Sequence, residues 1–189
     1  MVDFTSVTAQ ARFHTVCISY ASSGVGGLAH VSTTLLQQQG GFRLVHVPYR
    51  GGGPALQDAI AGQVPLFMSN VVIISQHIKA GTLRPLGVTT AAETRHVPGV
   101  KSFAQQGFAG FEAPTWWAFL GLAGTPEPIL ARLREALAET LADPAVRGKI
   151  EEQGADVRAT GPEECRQFLA REIDRWGRVI RDNNIRVDS

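Results

Sequence analysis

The residues with chemistry to offer in this chain are small and neutral. Tyr20-Ala-Ser-Ser-Gly-Val-Gly-Gly-Leu-Ala-His30 follows a β-branched stretch at Val16 and Ile18 and runs into an apolar helical pattern. That order reads as a strand, a tight loop and a helix N-terminus. Unpaired backbone N–H groups and the positive end of the helix dipole can hold a carboxylate or phosphate there without any Lys or Arg. The pattern recurs where His46-Val-Pro-Tyr-Arg-Gly-Gly52 runs into Pro54-Ala-Leu56. The candidate ligand-binding residues are Ser22, Ser23, Gly24 and Gly26 in the first loop, Tyr49, Gly51 and Gly52 in the second, and Ser69 after a third strand. Neutral donors of this kind orient a carboxylate through charge-assisted bonds of about 1.5–3 kcal/mol each. The glycines also suit plain turn geometry, and Ser22 or Ser23 also suits helix capping, one serine capping while the other meets ligand. Arg50 reads as a solvated loop side chain.

Other constellations fall away. Ser22, His30 and Asp58 include the residue types of a hydrolase triad, but no G-x-S-x-G elbow accompanies them, and His30 inside a helix reads as a core or capping histidine. Gly24-x-Gly26-Gly27 lacks the third glycine of a dinucleotide fingerprint at its proper place, and Pro48-Tyr49 stands where an acidic residue would end the second strand. His14, His46, His77 and His96 have no metal-ligand spacing. No catalytic residue, metal or cofactor is expected. Trp116-Trp117 is expected to pack at a junction between lobes.

The elements that must position these residues follow from periodicity and punctuation. Phe4 to Phe13 has helical spacing, Leu28 to Gln39 reads as a helix closed by Gly40-Gly41, and Phe42 to Tyr49 as a strand. Pro54 as a first helical residue opens Ala55 to Ala61, and Val64 to Met68 is a third strand with Pro65 at its start or at an edge. Val71 to Ala80 is a helix and Leu83 to Thr90 a fourth strand. After a crossover at 91–110 with a short helix around Ser102 to Gln106, the aromatic stretch Phe111 to Leu122 is strand-like. Thr125 caps a helix from Pro128 to Leu141, Asp143-Pro144 starts another to Gln153, and a strand at Asp156 to Ala159 precedes a helix from Glu163 to Asn183. Leu130, Leu133, Leu137 and Leu141 make one apolar stripe and Phe168, Ile173, Trp176 and Ile180 another, both packing faces. Repeated strand–glycine loop–helix units describe a parallel α/β sheet, which binds ligands outside the carboxyl ends of its strands.

Composition narrows the function classes. With 189 residues, 44% of them hydrophobic, the chain can bury a substantial core. A formal net charge of +1, with both signs interspersed, carries no nucleic-acid signature and no polybasic membrane patch. No apolar run approaches the roughly 20 residues that span a bilayer, and no signal peptide is recognisable at the N-terminus. Cys17 in a strand and Cys165 in a distant helix read as two separate thiols.

Tyr20-Ala-Ser-Ser-Gly24, His46-Val-Pro-Tyr-Arg-Gly-Gly52 with Pro54-Ala-Leu56, Gly62-Gln-Val64, Leu83 to Thr90, Gly124-Thr-Pro126, and Glu172 with Arg175-Trp-Gly177 stand in an order that resembles one family. It is the tripartite tricarboxylate transporter substrate-binding proteins, the TctC or Bug family of bacterial periplasmic receptors, and the likeness covers roughly residues 3 to 186. The resemblance implies a type II periplasmic-binding-protein fold in which α/β lobes close on a small carboxylate: a dicarboxylate, an acidic amino acid or an aromatic acid. It implies a receptor that passes its ligand to a membrane permease and is not an enzyme.

Full-length members carry a signal peptide and the first half of lobe one, with its own glycine loop, ahead of the part matched here. The resemblance therefore assigns residues 1–110 to the complete second lobe and 111–189 to a crossover and the C-terminal part of the first. Pro65 and Ser69 stand where the family often has Asp. A lobe built to pack on absent strands would expose apolar surface, so a homo-oligomer is expected. The resemblance places the protein in the periplasm; a chain without a signal peptide would stay cytoplasmic. The alternative is a sensor or interaction domain of the same fold that delivers no ligand.

Overall fold

The computed structural model describes residues 18–186, so the expected helix at Phe4 to Phe13, His14, Val16 and Cys17 lie outside the described residues. Three parallel strands, β1 (Ser19–Ser22), β2 (Val45–Pro48) and β3 (Leu66–Phe67), form a sheet in the order β2-β1-β3. Ser19 pairs with Val45 and Ser22 with Pro48 on one side, and Tyr20 with Leu66 on the other. Alternation along β1 separates two faces. Ala21 joins Val47, Phe67, Ala55 and Val64 in one cluster, while Tyr20 turns to the opposite face and stacks on His46.

Each strand runs through a loop into a helix: α1 (Leu28–Gly40), α2 (Gly52–Ile60) and α3 (Val71–Lys79). Helix α1 ends at Gly41 in the left-handed region, whose N–H caps Gln37 O. The Gln37 side chain then accepts the Leu44 N–H at 2.6 Å and ties the helix end to the start of β2. Leu36 packs with Phe42, Phe103, Phe111 and Ala113 in the larger core, the Leu and Phe side chains each contributing about 1.5–3 kcal/mol by burial.

Several expected boundaries shift for local reasons. Helix α2 begins two residues before Pro54, because Gly51 already turns the chain. Strand β3 is only two residues long and starts directly after Pro65, which has no N–H for a ladder. Leu83 to Thr90 forms no strand; Pro85 interrupts it, and a lone parallel bridge joins Val88 to Ser102 ahead of a 3₁₀ turn at Ala104–Gln106. Asp156 to Ala159 has no strand beside it among the described residues and stays irregular.

The chain divides into two compact units, Met1–Thr115 with Glu172–Ser189, and Trp116–Arg171. The second unit holds α4 (Glu127–Ala142), α5 (Pro144–Glu152) and the start of α6 (Pro162–Asp182). Asp143 caps α5 through Ala145 N–H, whereas Pro126, not Thr125, precedes α4; the Thr125 hydroxyl donates to Leu122 O instead. Residues 111–122 are irregular, and Trp117, Phe119 and Leu122 are 65%, 82% and 86% exposed, so the expected burial of Trp117 does not occur; Trp116 meets Phe168 edge to face. Leu133 and Ile173, one from each expected packing stripe, are exposed as well. Cys165 is a free, half-buried thiol, and no helix among the described residues is long and apolar enough to cross a membrane.

Within the first unit the Glu172 and Arg175-Trp176 motif works structurally. Trp176 Nε1 donates to Glu172 at 2.8 Å, and Arg175 covers the Trp176 ring and donates to Glu112 O.

Candidate functional site

The N-termini of α1, α2 and α3 gather at the carboxyl edge of the sheet, because each follows its strand by a short loop and all three strands are parallel. Tyr49 N–H donates to Ser22 O at 3.1 Å and Met68 N–H to Ala21 O at 3.2 Å, so the ladder continues past the strand ends and the loops leave side by side. None of the three helices has an acidic residue in its first turn. No side chain of their own first turns therefore offsets the positive dipole ends. Gly24 and Gly51, with φ of 141° and 116°, adopt backbone that L side chains rarely reach. A Cβ at Gly24 would meet Tyr49 O at an ordinary contact distance of 3.5 Å, so it is the backbone conformation, not space, that calls for glycine there.

The expected ligand residues divide by the state of their polar groups. Ser23 is exposed and Ser69 half-buried, and neither hydroxyl has a hydrogen-bond partner among the described residues. Ser22 is fully buried beneath the loop. Its hydroxyl accepts Gly24 N–H at 3.2 Å, reaches Gly24 O at 3.2 Å and lies 2.6 Å from His46 Nε2. Ser22 thus shapes the cradle from below and has no hydroxyl lone pair turned to its surface. Gly26 N–H donates to His30 Nδ1 at 3.1 Å, which gives His30 the capping role read from its place in a helix. The N-cap residue of α1 is Gly27, and neither serine caps that helix by its side chain. Tyr49 donates its hydroxyl to Asp58 on α2 at 2.7 Å; that bond, with burial and the carboxylate charge, pushes the phenol above its usual range. Gly51 and Gly52 are half-buried at the start of α2, where a Cβ on Gly52 would meet Ile73 Cδ1 of α3 at 2.6 Å. Arg50 is exposed, as read from the sequence.

Two groups were missing from the expected site. Asn70 caps α3 by accepting Ile73 N–H at 3.2 Å, and an Asn directly before an apolar helical run is the ordinary signal for it. His46 faces Tyr20 and Ser22 across the sheet and stacks on His30, ring centroids 3.9 Å apart. Burial, then the charge of His30, holds the His46 pKa down to about 4; burial also lowers that of His30. Burial raises that of Tyr20, whose hydroxyl has no hydrogen bond of ordinary geometry; the Thr34 hydroxyl works in the opposite direction and donates to His30 O. No group of His, Cys, Asp and Glu among the described residues could hold a metal ion.

The profile of the tripartite tricarboxylate transporter family receptor matches residues 3–185. Protein BugT of Bordetella pertussis is 31% identical over 182 residues, which is 96% of this chain and 56% of that protein. A protein encoded in the clcB–clcD intergenic region of Pseudomonas knackmussii is 33% identical over 159 residues, 84% of this chain and 94% of its own length. That short relative apart, the chain spans about half the length of the curated relatives it matches. Among solved structures, a periplasmic transporter superimposes with a TM-score of 0.89 at 31% identity, and a Rhodopseudomonas palustris protein solved with adipate with 0.89 at 29%; each match covers 98% of this chain and 62% of the other. MatC of Rhodopseudomonas palustris, with bound malate, gives 0.76 at 27% over 94% of this chain and 62% of its own. These likenesses show the α/β fold of periplasmic binding proteins.

Proposed function

The chain belongs to the tripartite tricarboxylate transporter receptor family, and from that membership we propose that it binds a small organic dicarboxylate and acts by binding, not catalysis. The observation that carries this reading is the gathering of three helix N-termini, none with an acid in its first turn, at one edge of the sheet. The Ser23 and Ser69 hydroxyls and the backbone N–H groups at Gly51 and Gly52 supply the donors, while the backbone at Gly24, Gly26 and Tyr49, whose N–H groups are held by Ser22 and His30, shapes the cradle, with Ser22 holding the first loop from beneath. Relatives of similar fold were solved with adipate and malate, both dicarboxylates. Residues 1–110 form the second lobe of the receptor and 111–189 the crossover and C-terminal part of the first. The receptor works in the periplasm and hands its ligand to a membrane permease.

Thermal-shift titration with malate, adipate and glutamate tests the reading. A ligand at a hundred times its Kd adds about 2.7 kcal/mol, which for a domain of this size raises Tm by roughly 5–10 °C. Ser23→Ala and Ser69→Ala should each reduce the shift. If no organic acid moves Tm at millimolar concentration, the receptor reading fails and the non-delivering sensor or interaction domain takes its place.

A further inference from the structure

A cluster of polar side chains lies under the first loop. His30, in the first turn of α1, and His46, on β2, stack with centroids 3.9 Å apart and planes 17° apart; His46 also stacks on Tyr20 at 5.0 Å. His46 Nε2 is 2.6 Å from Ser22 Oγ, and Ser22 Oγ accepts Gly24 N–H. His30 Nδ1 accepts Gly26 N–H. The loop is thus fastened twice, at Gly24 through Ser22 and at Gly26 through His30. An Nδ1 that accepts a hydrogen bond carries no proton, so His30 is neutral, with its proton on Nε2.

We propose that His30 and His46 form a proton-operated latch under the carboxylate cradle, closed while both rings are neutral and released when Nδ1 of His30 takes up a proton. The proton comes from solvent and occupies the Nδ1 lone pair; the Gly26 hydrogen bond is what is lost. Two donors then face each other at the 3.1 Å now spanned by that bond, so the Gly26 N–H must turn to another acceptor. A carboxylate at the N-terminus of α1 is such an acceptor, and its charge also offsets the imidazolium, which otherwise stands at the positive end of the helix dipole.

The surroundings favour one proton and no more. Facing the two rings are Tyr20 and Ser22 from β1, and on α1 the Thr34 hydroxyl donates to the His30 backbone O. Among the described residues no carboxylate, Lys or Arg contributes at either ring. A second imidazolium 3.9 Å from the first would be repelled, and His46 is the ring pushed down by the charge of His30, so His30 takes the first proton. By linkage, an anion that binds the released loop more tightly promotes protonation, and protonation promotes anion binding by the same factor.

The latch rests on the receptor reading for its ligand arm alone, and the test separates the two. In the full chain without ligand, the Gly26 amide and the His30 ring are followed by NMR from pH 7.5 to 4. They should shift with one shared midpoint, and the Gly26 shift should vanish in His30→Asn, whose side-chain oxygen can accept in place of Nδ1 but does not titrate. Malate affinity is then measured at pH 7 and pH 5 in both proteins, the variant supplying the probe's own titration. The wild type should gain about threefold or more over the variant as pH falls, within the tenfold per pH unit that one linked proton allows. A Gly26 amide indifferent to the His30 midpoint overturns the latch, and the wild-type titration decides this even if the variant does not fold. Equal pH dependence in both proteins overturns it too while the receptor reading stands. Failure of malate, adipate and glutamate alike to bind at either pH, with Gly26 still following His30, leaves the latch standing and removes the receptor reading.

Discussion

Acid should weaken the fold through His46 before the carboxylates are protonated. The ring is half-buried between Tyr20 and His30, and its pKa is held down from the ordinary 6.5 to about 4, by burial first and by the His30 charge second. In the unfolded chain the same ring titrates near 6.5. Between these values the unfolded state binds more protons than the folded one, so stability rises with pH across the window. The contribution is complete above about pH 6.5, shrinks as pH falls, and stops shrinking near pH 4, where the folded protein takes up the proton as well. At 1.36 kcal/mol per tenfold the full displacement is worth about 3 kcal/mol. The ring is partly open to solvent, and screening reduces this to about 1–2 kcal/mol. That corresponds to a Tm loss of roughly 2–8 °C between pH 7 and 4.5. His46→Gln isolates the effect, since the amide can still reach Ser22 Oγ but has no proton to gain. Urea denaturation of both proteins from pH 7.5 to 4.5 should show the wild type losing its advantage over the variant as the solution becomes acidic. Parallel stability curves, or a wild type that gains on the variant toward acid, would refute the reasoning.

Gly40 and Gly148 should respond to alanine with opposite signs. Both are helical, so each gains about 1 kcal/mol of helix propensity. At Gly40, however, the new Cβ would overlap the buried Phe42 ring and approach Phe108 Cε1 to 2.8 Å, while at Gly148 it meets nothing within 4 Å. Overpacking of about 1–3 kcal/mol exceeds the propensity gain, so Gly40→Ala should lower Tm and Gly148→Ala raise it; an increase for Gly40→Ala would show that the aromatic cluster yields. The exposed Trp117, Phe119, Leu120 and Leu122 should drive self-association, seen as a mass above 20.3 kDa in light scattering at tens of micromolar, and a compact monomer would count against it.

The three strand–loop–helix units were readable because their signals are local. Gly27 ahead of α1 and Gly40-Gly41 behind it delimit the helix within a residue of its observed ends, and Asn70 stands at the start of α3 in plain view. Leu83 to Thr90 looked like a strand by composition, but a strand exists only beside a partner, and Val88 finds one residue, Ser102. The same distinction governs the site. That Ser22 is buried and Ser23 exposed follows from where β1 ends: the central strand is buried on both faces through Ser22, and Ser23 is the first residue of the loop beyond it. The latch needs more still. His46 comes opposite Tyr20 only through the register of β1 and β2, and His30 reaches it only because the first turn of α1 covers that face. Neither condition is written within either residue's neighbourhood, so from the sequence His30 reads as a core or capping histidine and His46 as a member of a strand. The anion-binding surface proposed for the cradle is a property of backbone punctuation, but what would set its proton dependence is a contact between residues far apart in the chain. Substitutions that preserve every glycine of the loops can therefore leave the surface intact while abolishing its response to pH.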